Sequence, residues 1–594
     1  MSQRPVPRPR PDVAGRAGLA LTGLSVALTF AVAVAGPSVM EPPFPGRPGQ
    51  PPWAFDAHLS PYLAVALAGA ALLAGTAALA LTLFATRRGW RLPVRGLLLA
   101  GLLAAVALTL VPPFGSSDPL SYAAYGRMLV TGHNPYAIGP DVLARLGDPV
   151  ARAVQDWRTT PSDYGTVATG GQALASLIGG TSARLSVFLL SVFNLAAFAG
   201  TGLILHRLGR GDRDRQVRAA LLWTANPLLL QVLVAGQHVD SQAIFFGVAA
   251  VAVFSRVAGR PARRAAGYAA AAGALAGLGF AVKVTVALVG GGLALAALQA
   301  SRPSGAGADS ARPRWRRVAV GRAALSRAAL MWGGLAAGFA AVAGAALAVG
   351  GADGFHQTVQ ASSMVSIGSP WRVVRTVARL AIGEAPADDV VKTAAALLAV
   401  ALAVLLWRGL PGGPGRAVQP PNVRPMKNPG YDGQGTAAAT GAGGPGLAVT
   451  GSDGQGAAAA TGVGPARAEL AGMAGRGALV LSLAWLLAWP YVLPWYDGLA
   501  WALLPLVAAS SLDWLLLART AALAVGYLPA RVAGVVMPHD LGWLQSVVRT
   551  GVTPAILAVV IVWLIVDLWR GRSGTPGTPV PETVRDPADE RVTG

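Results

Sequence analysis

One polar segment between two long apolar runs carries the residue types best suited to catalysis. It reads SSDPLSYAAYGR over 116–127 and is followed by GHNPY over 132–136. Asp118 is the only carboxylate in these two stretches, and it follows closely on an apolar run. A single carboxylate within hydrogen-bond distance of a hydroxyl group is enough to take its proton as the oxygen attacks another atom. Asp118 is therefore the candidate general base of a group-transfer reaction.

The same residues are also typical of the two ends of a helix. Asp118 is a favourable N-cap with Pro119 in the first helical position, and the glycine and Asn-Pro pair of GHNPY are typical of a helix end. Tyr122, Tyr125 and Met128 recur every three residues, as on a helix that lies in the membrane interface. Helix capping thus remains an alternative role for Asp118, and the two roles can coexist.

Four cations are candidates for stabilising an anionic leaving group. A leaving group that departs already ionised needs a cation or a dipole rather than a general acid. Lys283 interrupts the apolar stretch from Ala265 to Ser301, where a lone charge is costly unless it is paired or reaches an interface. A turn residue whose ammonium group extends to the interface is the alternative for Lys283. The other candidates are Arg127, Arg372 and Arg375.

Two further groups of residues lie at predicted outer ends of apolar runs. His238 and Asp240 can contact an acceptor hydroxyl or a phosphate, although Asp240 also suits a helix N-cap. Two ligand-type side chains are too few for a metal site, so no metal and no other cofactor is expected. Trp495 and Tyr496, with Tyr491 nearby, can stack on a sugar ring or anchor the chain at the interface.

The composition places these residues in a membrane protein. Hydrophobic residues make up 53% of the chain and charged residues 13%, with a mean hydropathy of +0.51, so a water-soluble globule would lack charges for its surface. The net charge of +21 comes from basic clusters beside apolar runs, as the positive-inside rule expects, which argues against a nucleic-acid partner. The absence of Cys excludes disulfides and thiol nucleophiles.

Uncharged runs of bilayer length predict an all-α polytopic fold with about 12–14 transmembrane helices. Basic clusters put both termini on the cytoplasmic side. The predicted organisation begins with a basic cytoplasmic N-terminus at 1–16 and a transmembrane core at 17–409, which has outer loops near 114–184 and 353–392. A Gly- and Ala-rich disordered cytoplasmic linker follows at 410–475. The chain then continues with C-terminal transmembrane helices at 476–569 and a disordered cytoplasmic tail at 570–594. The longer outer loop is rich in Tyr, Trp, Asp and Arg, so function is expected there.

Several of these motifs together resemble one glycosyltransferase family. The chain resembles actinobacterial polyprenol-phosphomannose-dependent α-1,6-mannosyltransferases of lipomannan synthesis. The motifs that carry the resemblance are the stretches 116–127 and 132–136, Asn226-Pro227, GQHVD at 236–240, and the WPY and PWY sequences between 489 and 496. The similarity covers the hydrophobic body from about the second span to the last, without the linker and the tails. It implies a GT-C fold, a polyprenyl phosphomannose donor, inverting transfer and an acidic base in the first large outer loop, which is Asp118 by motif match.

The resemblance thus implies mannosyl transfer to a growing mannan or glycolipid acceptor, outside the bacterial plasma membrane and in contact with its lipids. A transporter or flippase of lipid-linked sugars, or a GT-C transferase that uses another polyprenyl phosphate sugar, is the alternative. The expected substrate-binding residues are Tyr122, Arg127, His133, Asn134, Tyr136, His238, Asp240, Lys283, Arg372, Trp495 and Tyr496.

Overall fold

The computed structural model describes residues 10–300, 314–361, 364–410, 454–530 and 537–573. Within these ranges every regular element is a helix, and the only β contact is an isolated bridge between Ser38 and Glu41. In the described ranges, nine helices are long and apolar enough to cross a membrane, and two shorter apolar helices accompany them. The all-α polytopic fold predicted from the sequence is therefore confirmed. The nine are Pro11–Ala35, Pro61–Arg87, Ala183–Leu208, Arg213–Ala235, Asp240–Val257, Ala324–Gln357, Glu384–Gly409, Ala466–Ala488 and His539–Arg570.

The α-helices are numbered in chain order. In the first half they are α1 Pro11–Ala35, α2 Pro61–Arg87, α3 Val94–Leu110, α4 Asp118–Val130, α5 Pro140–Arg145, α6 Pro149–Arg152, α7 Thr166–Gly179, α8 Ala183–Leu208, α9 Arg213–Ala219 and α10 Pro227–Leu229. Thereafter they are α11 Asp240–Phe254, α12 Ala262–Phe280, α13 Ala287–Ala300, α14 Arg314–Ala361, α15 Pro370–Ile382, α16 Glu384–Gly409, α17 Gly454–Ala488, α18 Gly498–Leu503, α19 Leu512–Gly526 and α20 Thr553–Ser573.

Small residues let α12 pack closely on the spanning helix α14. A Cβ atom built on Gly338 would lie 2.0 Å from the carbonyl oxygen of Ala270, and one on Gly334 would lie 2.5 Å from that of Ala266. The small-xxx-small spacing is typical of membrane helices whose backbones touch. Substitution by any larger residue at Gly338 would therefore force the two helices apart.

The segment 114–184 folds into α4 to α7, and a glycine fixes how α4 lies on α7. A Cβ on Gly126 would lie 2.1 Å from the carbonyl oxygen of Gln172, so only glycine permits this approach. Tyr122, Tyr125 and Met128 are all buried against protein. The expectation that these three face a membrane interface is wrong, because the apolar side of α4 is covered by its own loop and helices.

The first residue of α4 is Asp118, and its carboxylate does not cap the helix. Ser117 is the N-cap residue, and the Ser116 hydroxyl accepts the hydrogen bond from the Asp118 backbone amide at 3.2 Å. Asp240 likewise is the first residue of α11, and Val239 is the N-cap. Both carboxylates are therefore available for other contacts, which are described below.

Part of the segment predicted as a linker is helical. Helix α17 begins at Gly454, where the sequence continues with a run of alanines, the residue with the highest helix propensity. The preceding part of the predicted linker, 411–453, lies outside the described residues, as do 1–9 and the predicted tail from 574.

Candidate active site

A cavity of about 280 Å³ lies beside the start of α4. Its walls come from α4, from the loop at 157–164, from the segment 491–496 and from Tyr527 at the end of α19. Acidic, hydroxyl and aromatic side chains line this cavity, which we call the acid cavity. This combination of side chains suits a sugar and its hydroxyl groups. They include Asp118, Ser121, Tyr122, Tyr125, Asp163, Tyr164, Tyr491, Trp495, Tyr496 and Tyr527.

The Asp118 carboxylate has two close neighbours in the wall of the acid cavity. The Tyr122 hydroxyl, one turn later in α4, donates to its Oδ2 at 3.5 Å. The Nδ1 atom of His238 lies 3.6 Å from the same oxygen, which is too long for a hydrogen bond. With 9% of the residue exposed, Asp118 reaches the cavity but remains largely enclosed.

Burial raises the pKa of Asp118 to about 7. The positive charge of Lys283 lowers this pKa, whereas the negative charges of Asp163 and Asp156 raise it. A general base works best when its pKa lies near the operating pH, because it is then both ionised and sufficiently basic. The environment of Asp118 therefore suits proton abstraction near neutral pH.

A second carboxylate, Asp163, opens into the same cavity, and the sequence reasoning missed it. The residue is exposed and lines both this cavity and a smaller one beside Tyr136. Partial removal of its carboxylate from water raises the pKa of Asp163, and the charge of Lys283 opposes the rise. Its neighbour Tyr164 donates a hydrogen bond from its hydroxyl to the Tyr122 hydroxyl at 3.3 Å. The available signal was an acidic residue in the same outer segment as Asp118.

Lys283 and Asp240 form an ion pair next to the acid cavity. The Lys283 ammonium group lies 2.8 Å from both carboxylate oxygens of Asp240 and 4.0 Å from the centre of the Tyr496 ring. Both charged side chains are largely buried, with 13% and 7% exposed. Lys283 is thus a paired charge inside the protein and not a turn residue that extends to the interface.

His238 is neutral and packs face to face on Trp495. The ring centres are 3.5 Å apart and the planes 12° from parallel. Burial, and then the charge of Lys283, hold the pKa of His238 well below its usual range. Within the described part of the chain, no group of three acidic or histidine side chains is placed to hold a metal ion.

The structure does not bring all the predicted binding residues to the cavity. The Arg127 Nε atom donates to Asp148 at 2.7 Å, behind α4. Tyr136 donates through its hydroxyl to Thr169 at 2.8 Å. Both side chains stabilise the segment 114–184 and lie outside the lining of the acid cavity.

Three other predicted binding residues also have local roles or lie apart. His133 Nδ1 is 3.1 Å from the Thr131 hydroxyl, and the Asn134 side chain donates to Asp353 at 3.0 Å. Arg372 is exposed on α15 and does not line the acid cavity. The predicted binding residues that do line or adjoin this cavity are Tyr122, His238, Asp240, Lys283, Trp495 and Tyr496.

Comparison with known proteins finds a matching family model and several relatives. Residues 18–299 match the family model described as alpha-(1->6)-mannopyranosyltransferase, N-terminal domain. A probable alpha-(1->6)-mannopyranosyltransferase of Mycolicibacterium smegmatis is 34% identical over 25% of this chain and 26% of its own length. Alpha-(1->6)-mannopyranosyltransferases of Mycobacterium tuberculosis and Corynebacterium glutamicum are 33% and 31% identical, over 24% and 23% of this chain and 24% and 22% of their own lengths.

The matched segments thus span about a quarter of the length of these relatives. No solved structure matches the chain. The resemblance to actinobacterial α-1,6-mannosyltransferases that the motifs indicated is confirmed, and the family match covers Asp118, Asp163, His238, Asp240 and Lys283.

Proposed function

Because residues 18–299 match the family model described as alpha-(1->6)-mannopyranosyltransferase, N-terminal domain, we propose that this chain is a membrane-embedded mannosyltransferase. The donor is polyprenyl phosphomannose and the acceptor is the hydroxyl of an α-mannoside of a mannan or glycolipid. The reaction inverts the anomeric configuration and takes place on the extracytoplasmic face of the plasma membrane. The nine apolar helices and the basic clusters in the sequence support a multi-pass protein with this orientation.

The placement of Asp118 carries the proposal. Its carboxylate borders a sugar-sized cavity and is not used as a helix cap. In the proposed step the acceptor hydroxyl donates its proton to Asp118 while its oxygen bonds to the anomeric carbon. The bond from that carbon to the phosphate oxygen breaks, and the phosphate leaves with the electron pair. A single displacement of this kind inverts the anomeric centre.

Lys283 supports the ionised state of Asp118 from its position on Asp240. The charge of Lys283 lowers the pKa of Asp118 and of Asp163, so the cavity keeps a carboxylate available as base. The same charge favours the negative charge that develops on the leaving phosphate. Asp240 holds the ammonium group with two short contacts, which fixes the direction from which this charge acts.

Aromatic side chains provide the binding surface for the sugar rings. Tyr491, Trp495 and Tyr496 come from one segment, and Tyr527 packs edge to face on Trp495 at 5.1 Å. The tyrosine rings can cover the apolar side of a pyranose while their hydroxyl groups bond to sugar oxygens, and the buried Trp495, which stacks on His238, supports this wall. We assign these residues to binding rather than to proton transfer.

The test is mannosyl transfer from polyprenyl phosphomannose to a short α-mannoside in membranes that contain Asp118→Asn. Loss of a general base lowers turnover by about 10²–10⁴-fold. The matched control is Asp141→Asn, an acid of the same segment that pairs with Arg145 on the surface. Equal activity of Asp118→Asn and wild type at matched expression would refute the assignment. Inactivity of wild type as well would favour the transporter or another donor sugar.

A further inference from the structure

A second, larger cavity of about 470 Å³ adjoins the acid cavity. The two share five lining residues, so a ligand can extend from one into the other without crossing the protein core. We call this second cavity the side cavity. Its volume falls within the roughly 300–1,000 Å³ of typical small-molecule sites. The shared residues are Trp157, Met364, Tyr491, Leu493 and Tyr527.

The side cavity differs from the acid cavity in the chemistry of its walls. Much of its lining is aliphatic, whereas acids, hydroxyls and aromatic rings dominate the acid cavity. Arg549 is the single cation among its lining residues, and Asp156 is the single acid. The Asp156 carboxylate already accepts a hydrogen bond from the Ser117 hydroxyl at 2.8 Å. The aliphatic residues are Val365, Ile367, Val492, Leu493, Pro494 and Leu523.

Arg549 is a rigidly held guanidinium group. Its Nε atom donates to the carbonyl of Gly526 at 2.6 Å and one Nη atom to that of Tyr527 at 2.7 Å, at the end of α19. The guanidinium carbon also lies 5.1 Å from the centre of the Tyr527 ring. A fixed planar guanidinium loses little side-chain freedom when it binds an anion, and its geometry suits phosphate oxygens.

Trp157 marks the junction of the two cavities with an unusual backbone. Its φ is 62°, in the left-handed region that a bulky side chain rarely adopts, and 44% of the residue is exposed. Strained backbones of this kind occur preferentially where a ligand is clamped. The position of Trp157 is therefore consistent with a ligand that passes from one cavity to the other.

We infer that the side cavity holds the phosphate and the first isoprene units of a prenyl-phosphate-linked donor, with Arg549 facing the phosphate. This inference rests on the proposed function. It places the sugar end of the donor in the acid cavity and the prenyl phosphate end in the side cavity. The aliphatic walls hold the branched hydrocarbon, the guanidinium attracts the anion, and the sugar extends past the shared aromatic residues to Asp118.

The direct test is photocrosslinking with a prenyl phosphate that carries a diazirine in its first isoprene unit. It is applied to membranes with wild-type protein or Asp118→Asn, and the labelled peptides are mapped. Labelling of peptides that contain 364–368 or 523–527, in both proteins, is expected. Unlabelled prenyl phosphate should compete, whereas phosphatidic acid and inorganic phosphate should not. Labelling elsewhere, or equal competition by phosphatidic acid, would overturn the inference.

Two variants test the same site through kinetics. Arg549→Gln removes the charge, and Ile367→Trp fills the cavity without altering any residue of α19. Each should raise the donor KM by about tenfold or more with a smaller change in kcat, because a charged hydrogen bond or a binding space is lost. Ile382→Trp, the same exchange on the exposed side of α15, is the control. Unchanged donor KM in Ile367→Trp would contradict the inference even if Arg549→Gln failed to fold.

These readouts separate the inference from the proposed function. Prenyl phosphate labelling of the side cavity without mannosyl transfer would leave the site standing and refute the donor sugar. Mannosyl transfer with labelling elsewhere would keep the activity and refute the site.

Discussion

The two halves of the molecule contribute different chemistry to one site. The half that matches the mannosyltransferase family supplies Asp118, Asp163, Asp240 and Lys283, which carry charge or protons. The half beyond residue 299 supplies the aromatic wall at 491–496 and 527 and the aliphatic side cavity with Arg549. The first half is therefore expected to set the rate of the chemical step, and the second half to set which substrates bind and how tightly.

After loss of Asp118, the largest effect is expected from Lys283→Met. The change leaves Asp240 buried without its partner and removes the charge that lowers the pKa of Asp118. Turnover should fall by about 10²-fold or more, and the rise of kcat/KM with pH should move to higher pH. Purification yield and thermal stability must be measured beside activity, with Lys283→Arg as the charge-preserving control. A folded Lys283→Met protein with wild-type activity and an unchanged pH dependence of kcat/KM would contradict the assignment of the chemical step to the first half.

A smaller effect is expected from Tyr491→Ala in the second half. The loss of one stacking face should raise a substrate KM by several-fold to about tenfold, while kcat changes little. Tyr491→Phe keeps the face and should behave like wild type. Should Tyr491→Ala lower kcat and leave KM unchanged, the aromatic wall would belong to the chemical step instead.

Asp163→Asn tests whether the second acid acts through its charge. Removal of this negative charge lowers the pKa of Asp118, so the rise of kcat/KM should move to lower pH, opposite to the effect of Lys283→Met. The pH dependence of kcat/KM in the two variants is the measurement. A loss as large as that of Asp118→Asn, without a pH shift, would identify Asp163 as the base.

The smallest effect on activity is expected from Arg127→Gln. Arg127 pairs with Asp148 away from the acid cavity, so kcat/KM should stay within about twofold of wild type. The lost pair should lower stability by on the order of 1 kcal/mol, visible as a lower melting temperature. A large rise in the donor KM of this variant would restore Arg127 to the binding residues and contradict its position in the structure.

The sequence was sufficient for the parts that depend on local pattern. Apolar runs of bilayer length predicted the all-α polytopic fold, and the cost of a lone charge pointed to Lys283 as a residue with a special environment. The pairing of Lys283 with Asp240 was not predictable, because these residues are brought together only by the packing of α11 against the turn after α12. The sequence likewise could not predict which of the motif residues lie at the acid cavity.

The misassigned residues show the limit of motif reasoning. Arg127, His133, Asn134 and Tyr136 lie next to Asp118 in sequence, yet their partners are Asp148, Thr131, Asp353 and Thr169. Asp163 and Arg549 were missed because neither a loop acid nor a single cation inside a long apolar helical stretch forms a periodic pattern. Only the fold shows that Asp163 and Asp118 line one cavity and that Arg549 lines the next.

The most direct test of Asp118 as general base is the pH dependence of kcat/KM for mannosyl transfer, from about pH 5.5 to about pH 8.5. Since the base acts only when ionised, and the pKa of Asp118 is about 7, kcat/KM should rise tenfold per pH unit below that value and level off above it. The residual activity of Asp118→Asn should lack this rise. A wild-type profile that is flat or falls across neutrality, or an Asp118→Asn protein that keeps the rise, would contradict the assignment.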